Sequence, residues 1–338
     1  MKTLKLAGAT VNQIPLDWKN NKANILACIA QAKSEGVELL CLPELCITGY
    51  GCEDLFLSEW LPAKAMEVLL EIAPACSGLA VAVGLPVRHQ NKSYNCTCYI
   101  VNGEIQGFYA KQTLANEGVH YEPRWFTPWP PSTTDAIEAG GKTYPIGELT
   151  FHLKDIHLGF EICEDAWHDV RPACHHMKKG VELILNPSAS HFAFGKASFR
   201  QNLVIESSRK FNVAYLYCNL LGNEAGRMVY DGDVILAQNG DLLSYGQRLS
   251  FVSWKLQTCE VNFSNPEQSE RQAIKPIAEQ NEEFPKAAAL ALFDYMRKSH
   301  SKGFVLSLSG GADSSTCAVL VAEMVRRGAE ELGFDAFK

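Results

Sequence analysis

The sequence predicts an α/β fold with mixed sheets and helices outside them. Short apolar runs alternate with longer amphipathic stretches that end at glycine or at a polar turn. Two Asn-Gly pairs, Asn102-Gly103 and Asn239-Gly240, each lie between two such runs and mark hairpins. Several apolar runs also stop abruptly at a charged or reactive residue, as buried strands do where their ends carry chemistry.

Leu4 to Val11 is a first strand, rich in small and β-branched residues. Asn21 to Glu35 is a helix with Ile25, Leu26, Ile29 and Ala32 on one face and Gly36 as its stop. Val37 to Glu44 is an apolar strand ending in a carboxylate, followed by the glycine-bearing loop Leu45 to Gly51. Pro62 to Ile72 is helical, and Leu79 to Val87 is a fully apolar strand. Tyr94 to Val101 and Glu104 to Ala110 are the arms of the first hairpin, and Lys111 ends the second arm. The loop Gln112 to Phe126 is too rich in aromatic and charged residues for a passive connection. Pro128, Pro130 and Pro131 hold an irregular, extended segment.

Thr143 to Leu153 and Ile156 to Ile162 read as strands leading to Cys163. Arg171 to Lys179 is helix-like and closed by Gly180. Val181 to Asn186 is another apolar strand, running into Pro187-Ser188-Ala189-Ser190-His191. Lys196 to Phe211 is an amphipathic helix and Val213 to Leu221 a strand. Val234 to Gln238 and Asp241 to Tyr245 form the second hairpin, and Phe251 to Phe263 is the last strand of this unit. A polar stretch, Asn265 to Glu283, reads as a linker before a helix from Pro285 to Lys298. Phe304 to Leu308 then reads as a strand, followed by a glycine turn and the helical stretch Thr316 to Arg327.

At 338 residues the chain can hold more than one domain. Its net charge of −7 argues against a nucleic-acid-binding surface. No apolar run approaches the ~20 residues of a membrane span. Twelve cysteines in so long a chain do not read as a disulfide framework. The opening Met1 to Lys5 is a charged strand rather than a signal peptide, so a reducing, cytoplasmic setting is expected. Cys174-His175-His176 has no second ligand pair at metal spacing, and adjacent histidines on a helix diverge, so packing or surface roles are expected.

Three strand ends deliver Glu44, Lys111 and Cys163. A cysteine is a nucleophile only as a thiolate. Its neighbours Glu161, Glu164 and Asp165 would raise its pKa by like-charge repulsion, so the base and the cation must come from elsewhere. Taken alone, Cys163 reads as a small buried apolar residue. A carboxylate and an amine at comparable strand ends change that reading.

The three residues resemble the Glu–Lys–Cys triad of the nitrilase, or carbon–nitrogen hydrolase, superfamily. The resemblance covers residues 1–265 and implies a four-layer αββα sandwich that hydrolyses amides through a thioester. In that scheme Glu44 takes the Cys163 proton and passes it to departing ammonia. Lys111 and the Glu164 backbone N–H hold the oxyanion. Glu122 matches a second acidic position that orients Lys111 or Glu44; a solvated loop carboxylate is the other reading.

Ser309-Gly310-Gly311-Ala312-Asp313-Ser314, followed by Ser315, places a glycine turn at a helix N-terminus, a cradle of backbone N–H groups for an anion. It lacks the Gly-Lys-Ser/Thr of a Walker A loop. It resembles the pyrophosphate loop of ATP pyrophosphatases. Combined with the first unit, with Leu114 to Gly118, with Tyr121-Glu122, with Arg124 to Trp129 and with Tyr230-Asp231-Gly232, it resembles the glutamine-dependent NAD synthetase family.

That family resemblance implies glutamine, ATP and deamido-NAD as substrates. It implies Mg2+ for the complete synthetase and no cofactor for the glutaminase step. A homo-oligomer is also implied. The residues it suggests for glutamine are Glu117, Glu164, Ser190 and Lys196. Lys196 stands where relatives often carry arginine, and could pair with a carboxylate as a point charge or simply be a solvated helix start. The sequence ends at Lys338, whereas a nucleotide-binding domain needs ~150–250 further residues. The expectation is a glutaminase unit (1–265), a linker (266–284) and the start of a synthetase domain (285–338), with metal ligands and the deamido-NAD site in the missing synthetase domain. A free-standing amidase or nitrilase acting on another small amide is the alternative, and a non-catalytic ATP-binding scaffold a third reading.

Overall fold

Alternating apolar residues along the strands build two sheets that share one core. The computed structural model describes residues 2–224 and 226–337. The chain first forms β1 (Thr3–Val11), β2 (Leu39–Cys41), β3 (Ala80–His89), β4 (Lys92–Val101), β5 (Glu104–Ala110), β6 (Thr134–Ala139) and β7 (Lys142–Gly147). It then crosses to β8 (Thr150–Leu153), β9 (Ile156–Phe160), β10 (Leu183–Ser188) and β11 (Ala214–Asn219). A short pair, β12 (Leu221–Asn223) and β13 (Val229–Asp231), precedes β14 (Val234–Gln238) and β15 (Asp241–Tyr245). β16 (Trp254–Asn262) returns to the first sheet beside β1. The sheet orders are β16-β1-β2-β3-β4-β5-β7-β6 and β15-β14-β11-β10-β9-β8. Both are mixed: β1, β2 and β3 run parallel, as do β9, β10 and β11, while the hairpins are antiparallel.

Four layers follow from which face each residue takes. Leu39 and Cys41 point between the sheets, while Leu40 packs on the outer side with α1 (Trp18–Ser34) and α2 (Trp60–Ile72). Leu183 and Leu185 of β10 join the same central layer. Ile184 packs outward with Ala173 of α3 (Pro172–Lys178) and Val204 of α4 (Lys196–Phe211). A one-residue slip in either strand would exchange these faces, so burial on both sides fixes the register. The order is helix, sheet, sheet, helix. All twelve cysteines are free. Among the described residues no helix is long and apolar enough to cross a membrane.

Three stretches differ from the sequence expectation. Thr143 to Leu153 is not one strand: β7 ends at Gly147 (φ 131°) and β8 begins at Thr150 in the other sheet. Glu148 sits buried at the crossing and accepts from Ser132 N at 2.8 Å and from Gln112 Nε2 at 3.1 Å. α5 (Gln280–Lys298) starts five residues before Pro285, and ahead of it Gln272 N donates to Leu243 O of the second sheet at 2.9 Å. Phe304 to Leu308 forms no strand and leaves Val305 fully exposed. A strand exists only by pairing its backbone, and no described strand lies beside this one. α6 (Ala312–Leu332) and α7 (Phe334–Phe337) follow it.

Candidate active site

β2 delivers Glu44 through a tight passage. Leu42 N donates to Ala82 O at 3.0 Å, and the chain turns at Leu45 with φ 49°. Gly84 of β3 makes the passage possible, because a Cβ there would lie 2.5 Å from Pro43 O and 2.5 Å from Leu45 N. Glu44 is fully buried. Its Oε1 accepts from Lys111 Nζ at 2.6 Å and from Asn95 Nδ2 at 2.7 Å. Its Oε2 is buried with no hydrogen-bond partner among the described residues.

Lys111 follows the last residue of β5, and its backbone N–H donates to Asn95 O at 2.9 Å. Its Nζ bridges Glu44 and Glu122 Oε1, the second contact at 2.9 Å. Glu122 opens a single helical turn in the aromatic loop. Its Oε1 also accepts from Tyr50 OH at 2.8 Å, and its Oε2 from Ala115 N at 2.9 Å. One amine therefore sits between two carboxylates, with all three side chains out of water.

Cys163 opens the turn Cys163–Trp167 just past β9. Its φ of 47° is in the left-handed region, which non-glycine residues seldom occupy and which recurs at functional sites. Only 7% of the residue is exposed. Burial pushes its thiol well up, and Glu44 adds to this, while Lys111 opposes. Burial also raises Glu44 to about 7, with Lys111 opposing and Glu122 reinforcing. For Lys111, burial works against the charge, but Glu122, Glu44 and Cys163 outweigh it and hold the ammonium well above the ordinary lysine value. Three groups from two sheets thus share one field, with a carboxyl poised near neutrality beside a thiol that cannot ionise unaided.

A carbon-nitrogen hydrolase family model matches residues 5–252. The chain belongs to the carbon-nitrogen hydrolase family. An NAD synthase model matches residues 286–333 of the chain. The crystal structure of a glutamine-dependent NAD(+) synthetase from Cytophaga hutchinsonii superposes with a TM-score of 0.91 and 52% identity, covering 99% of this chain and 54% of that one. A glutamine-dependent NAD(+) synthetase from Drosophila melanogaster is 31% identical over 96% of this chain and 47% of its own length. An NAD+ synthetase from Acinetobacter baumannii, solved in complex with adenosine diphosphate, shares the fold at 23% identity, with a TM-score of 0.83 and coverage of 96% and 58%. The chain spans about half the length of the relatives it matches.

The other expected positions are less uniform. Glu164 is half-buried beside Cys163 and faces His168 Nε2 at 3.4 Å. Burial raises its carboxyl, with Lys111 and His168 opposing. Ser190 is buried, and its Oγ accepts from Arg200 Nη1 at 3.4 Å. Lys196 begins α4, half-buried, and its Nζ lies 3.2 Å from His191 Nδ1. Burial lowers its amine, with Arg200 adding to the effect. Glu117 stands exposed in its loop, where its carbonyl accepts from His120 N at 3.1 Å. Ser309, Gly310, Gly311, Asp313, Ser314 and Ser315 lie at the exposed N-terminus of α6, where Ser309 Oγ and Ser314 Oγ are 3.2 Å apart. Among the described residues no group of three His, Cys, Asp or Glu side chains could hold a metal ion.

Sequence reasoning missed Asn95 and Tyr50, which hold Glu44 and Glu122. It also missed His120, whose Nε2 lies 2.9 Å from His191 Nδ1 and whose Nδ1 lies 3.1 Å from Tyr50 OH. Tyr50, His120, Trp125 and Tyr230 line a cavity of ≈ 300 Å³ above Glu122. A larger cleft of ≈ 650 Å³ lies between the β15 end, the polar stretch and α6, away from Cys163.

Proposed function

We propose that this chain hydrolyses the side-chain amide of glutamine. The observation that carries the reading is the buried Glu44–Lys111 contact of 2.6 Å, made by two groups that both act on the Cys163 thiol. Glu44 takes the thiol proton through its unpartnered Oε2 as Sγ bonds the amide carbon. Lys111 and the Glu164 backbone N–H stabilise the oxygen that becomes negative. Glu44 returns the proton to nitrogen, the C–N bond breaks and ammonia leaves a thioester. Water then attacks, Glu44 takes its proton, and glutamate departs as the thiol is restored. Glu122 keeps Lys111 in place. Among the residues suggested for glutamine, Glu164 adjoins Cys163 and Lys196 lies within its field, while Ser190 is buried against Arg200; the exposed Glu117 would have to move.

The family matches support a wider reading, in which the ammonia feeds ATP-dependent amidation of deamido-NAD to NAD by a longer enzyme. Residues 1–265 would be its glutaminase unit, 266–284 a linker and 285–338 the start of its synthetase domain. Ser309 to Ser315 would bind the pyrophosphate of ATP through backbone N–H groups and hydroxyls. Mg2+ would need ligands outside this chain. A homo-oligomer in the cytoplasm completes the proposal.

The test is turnover of labelled glutamine by the wild-type chain and by Cys163→Ala, together with mass spectrometry after a glutamine-like diazo-ketone. Glutamate release that vanishes in the variant, and a covalent adduct on Cys163, are expected. A panel of amides turned over with no preference for glutamine would point to a general amidase instead. A Cys163 inert to the diazo-ketone would remove the catalytic reading altogether.

A further inference from the structure

The catalytic groups come from different sheets, so something must hold their backbones in register. Lys111 belongs to the first sheet and Cys163 to the second. Each lies just past the end of its strand. Asp165 stands at that junction, fully buried. Its Oδ1 accepts from Gln112 N at 3.0 Å and from Thr113 N at 2.7 Å, the two residues that follow Lys111. Its Oδ2 accepts from Ile162 N at 2.9 Å, the residue that precedes Cys163. One carboxylate therefore clips the exit of the lysine strand to the entrance of the cysteine turn.

The geometry points to Asp165 as a positioning residue that sets the placement of Lys111 relative to Cys163. It does so without touching substrate. The three donors are backbone N–H groups past the ends of both strands; that of Ile162 would otherwise be buried without a partner, and those of Gln112 and Thr113 are half-buried. The carboxylate also fixes the left-handed turn at Cys163, because it holds the residue before it while Asp165 N donates to Ile162 O at 3.1 Å. Glu161, the other buried acid of the run, is engaged elsewhere: it accepts from Tyr215 OH at 2.8 Å and from Ala173 N at 2.8 Å. Glu164 points to His168. Of the three neighbouring acids, only Asp165 spans both sheets.

This inference rests on the triad reading of Glu44, Lys111 and Cys163, but not on the identity of the amide. The experiment uses the whole chain and Asp165→Asn, which keeps an acceptor for one strand and turns a donor toward the other. Misplacement of catalytic groups by about 1 Å costs on the order of 10²-fold. The expected result is a kcat for glutamine lowered about 10²-fold with KM within about threefold, and Cys163 alkylation by iodoacetamide slowed as well. Alkylation needs no glutamine, so a wild type that alkylates but releases no glutamate would sink the substrate and leave the clip testable. Should Asp165→Asn fail to fold, Asp165→Ser removes the carboxylate without burying an inverted amide and is read in the same way. An unchanged kcat and alkylation rate in a folded variant would overturn the proposal. A loss confined to KM would overturn it too.

Discussion

Asn95 shows how a single side chain tunes the chemistry. It donates to Glu44 Oε1 and so favours the charged carboxylate, against the burial that raises Glu44 to about 7. Below that pH the carboxyl keeps its proton and cannot accept one from Cys163. Activity should therefore rise with pH through about 7. Asn95→Ala removes a donor to the charged form, so the rising limb of kcat/KM should move to higher pH, measured by glutamate release across pH 5–9. A limb that stayed in place would mean that Glu44 is not the base. Lys111 is the harder loss. In Lys111→Met two buried carboxylates face each other without a cation, and breaking a buried pair costs roughly 3–5 kcal/mol. We expect a lowered unfolding midpoint in denaturant, together with a fall of about 10²–10³ in kcat as the oxyanion loses a donor.

At the scale of elements, the hairpin carrying Lys111 explains both what the sequence made readable and what it hid. The Asn102-Gly103 turn located both arms, and β5 runs from Glu104 to Ala110 as expected. Counting back from that turn in simple register would set Tyr94 opposite Lys111. A bulge between Tyr99 and Ile100 shifts the pairing by one, and Asn95 takes the place instead. A bulge leaves no reliable mark in sequence, so the Glu44 partner could not be named. The crossing at Glu148 was hidden for a similar reason: an apolar run reads the same whether it stays in one sheet or changes sheets. The Cys163 turn is a third case, since nothing in the residue type forecasts a positive φ. The meeting of Glu44 with Lys111 was readable because strand ends are marked by polarity; the support around it depends on register.

Gly84 belongs to this scale as well. Its missing side chain lets the Glu44 backbone cross β3. Gly84→Ala should force the two apart, costing about 1–3 kcal/mol by overpacking and displacing Glu44. Calorimetry would show the lowered Tm, and turnover should fall more than the lost stability explains. A variant with wild-type kcat would show that the passage has slack.

For the whole molecule, α5 is the joint between the two-sheet body and the segment that follows. Asp294 accepts from Asn12 Nδ2 at 3.0 Å and from Asn223 N at 2.7 Å. Lys298 Nζ donates to Asn12 Oδ1, Gln13 O and Asn223 O, so three acceptors meet the three hydrogens of one ammonium. The next residue, Glu224, accepts from Tyr50 N at 3.0 Å and from Gly51 N at 2.6 Å, and Tyr50 in turn donates to Glu122. Lys298→Met leaves Asp294 buried with less compensation. Hydrogen exchange should show α5 loosening first, and glutaminase turnover should fall through Tyr50. Loosened exchange with unchanged turnover would mean that the joint is mechanical only.

The bare run from Phe304 to Leu308 carries its own consequence. It is five residues without charge or proline; Phe304 packs half-buried against the Phe293 cluster, while Val305 to Leu308 stand out in water beside no described strand. Such a ribbon is a template for sticking to copies of itself. Light scattering from this chain should climb with concentration, and lysines at Val305 and Leu308 should keep it in solution without touching the hydrolytic pocket.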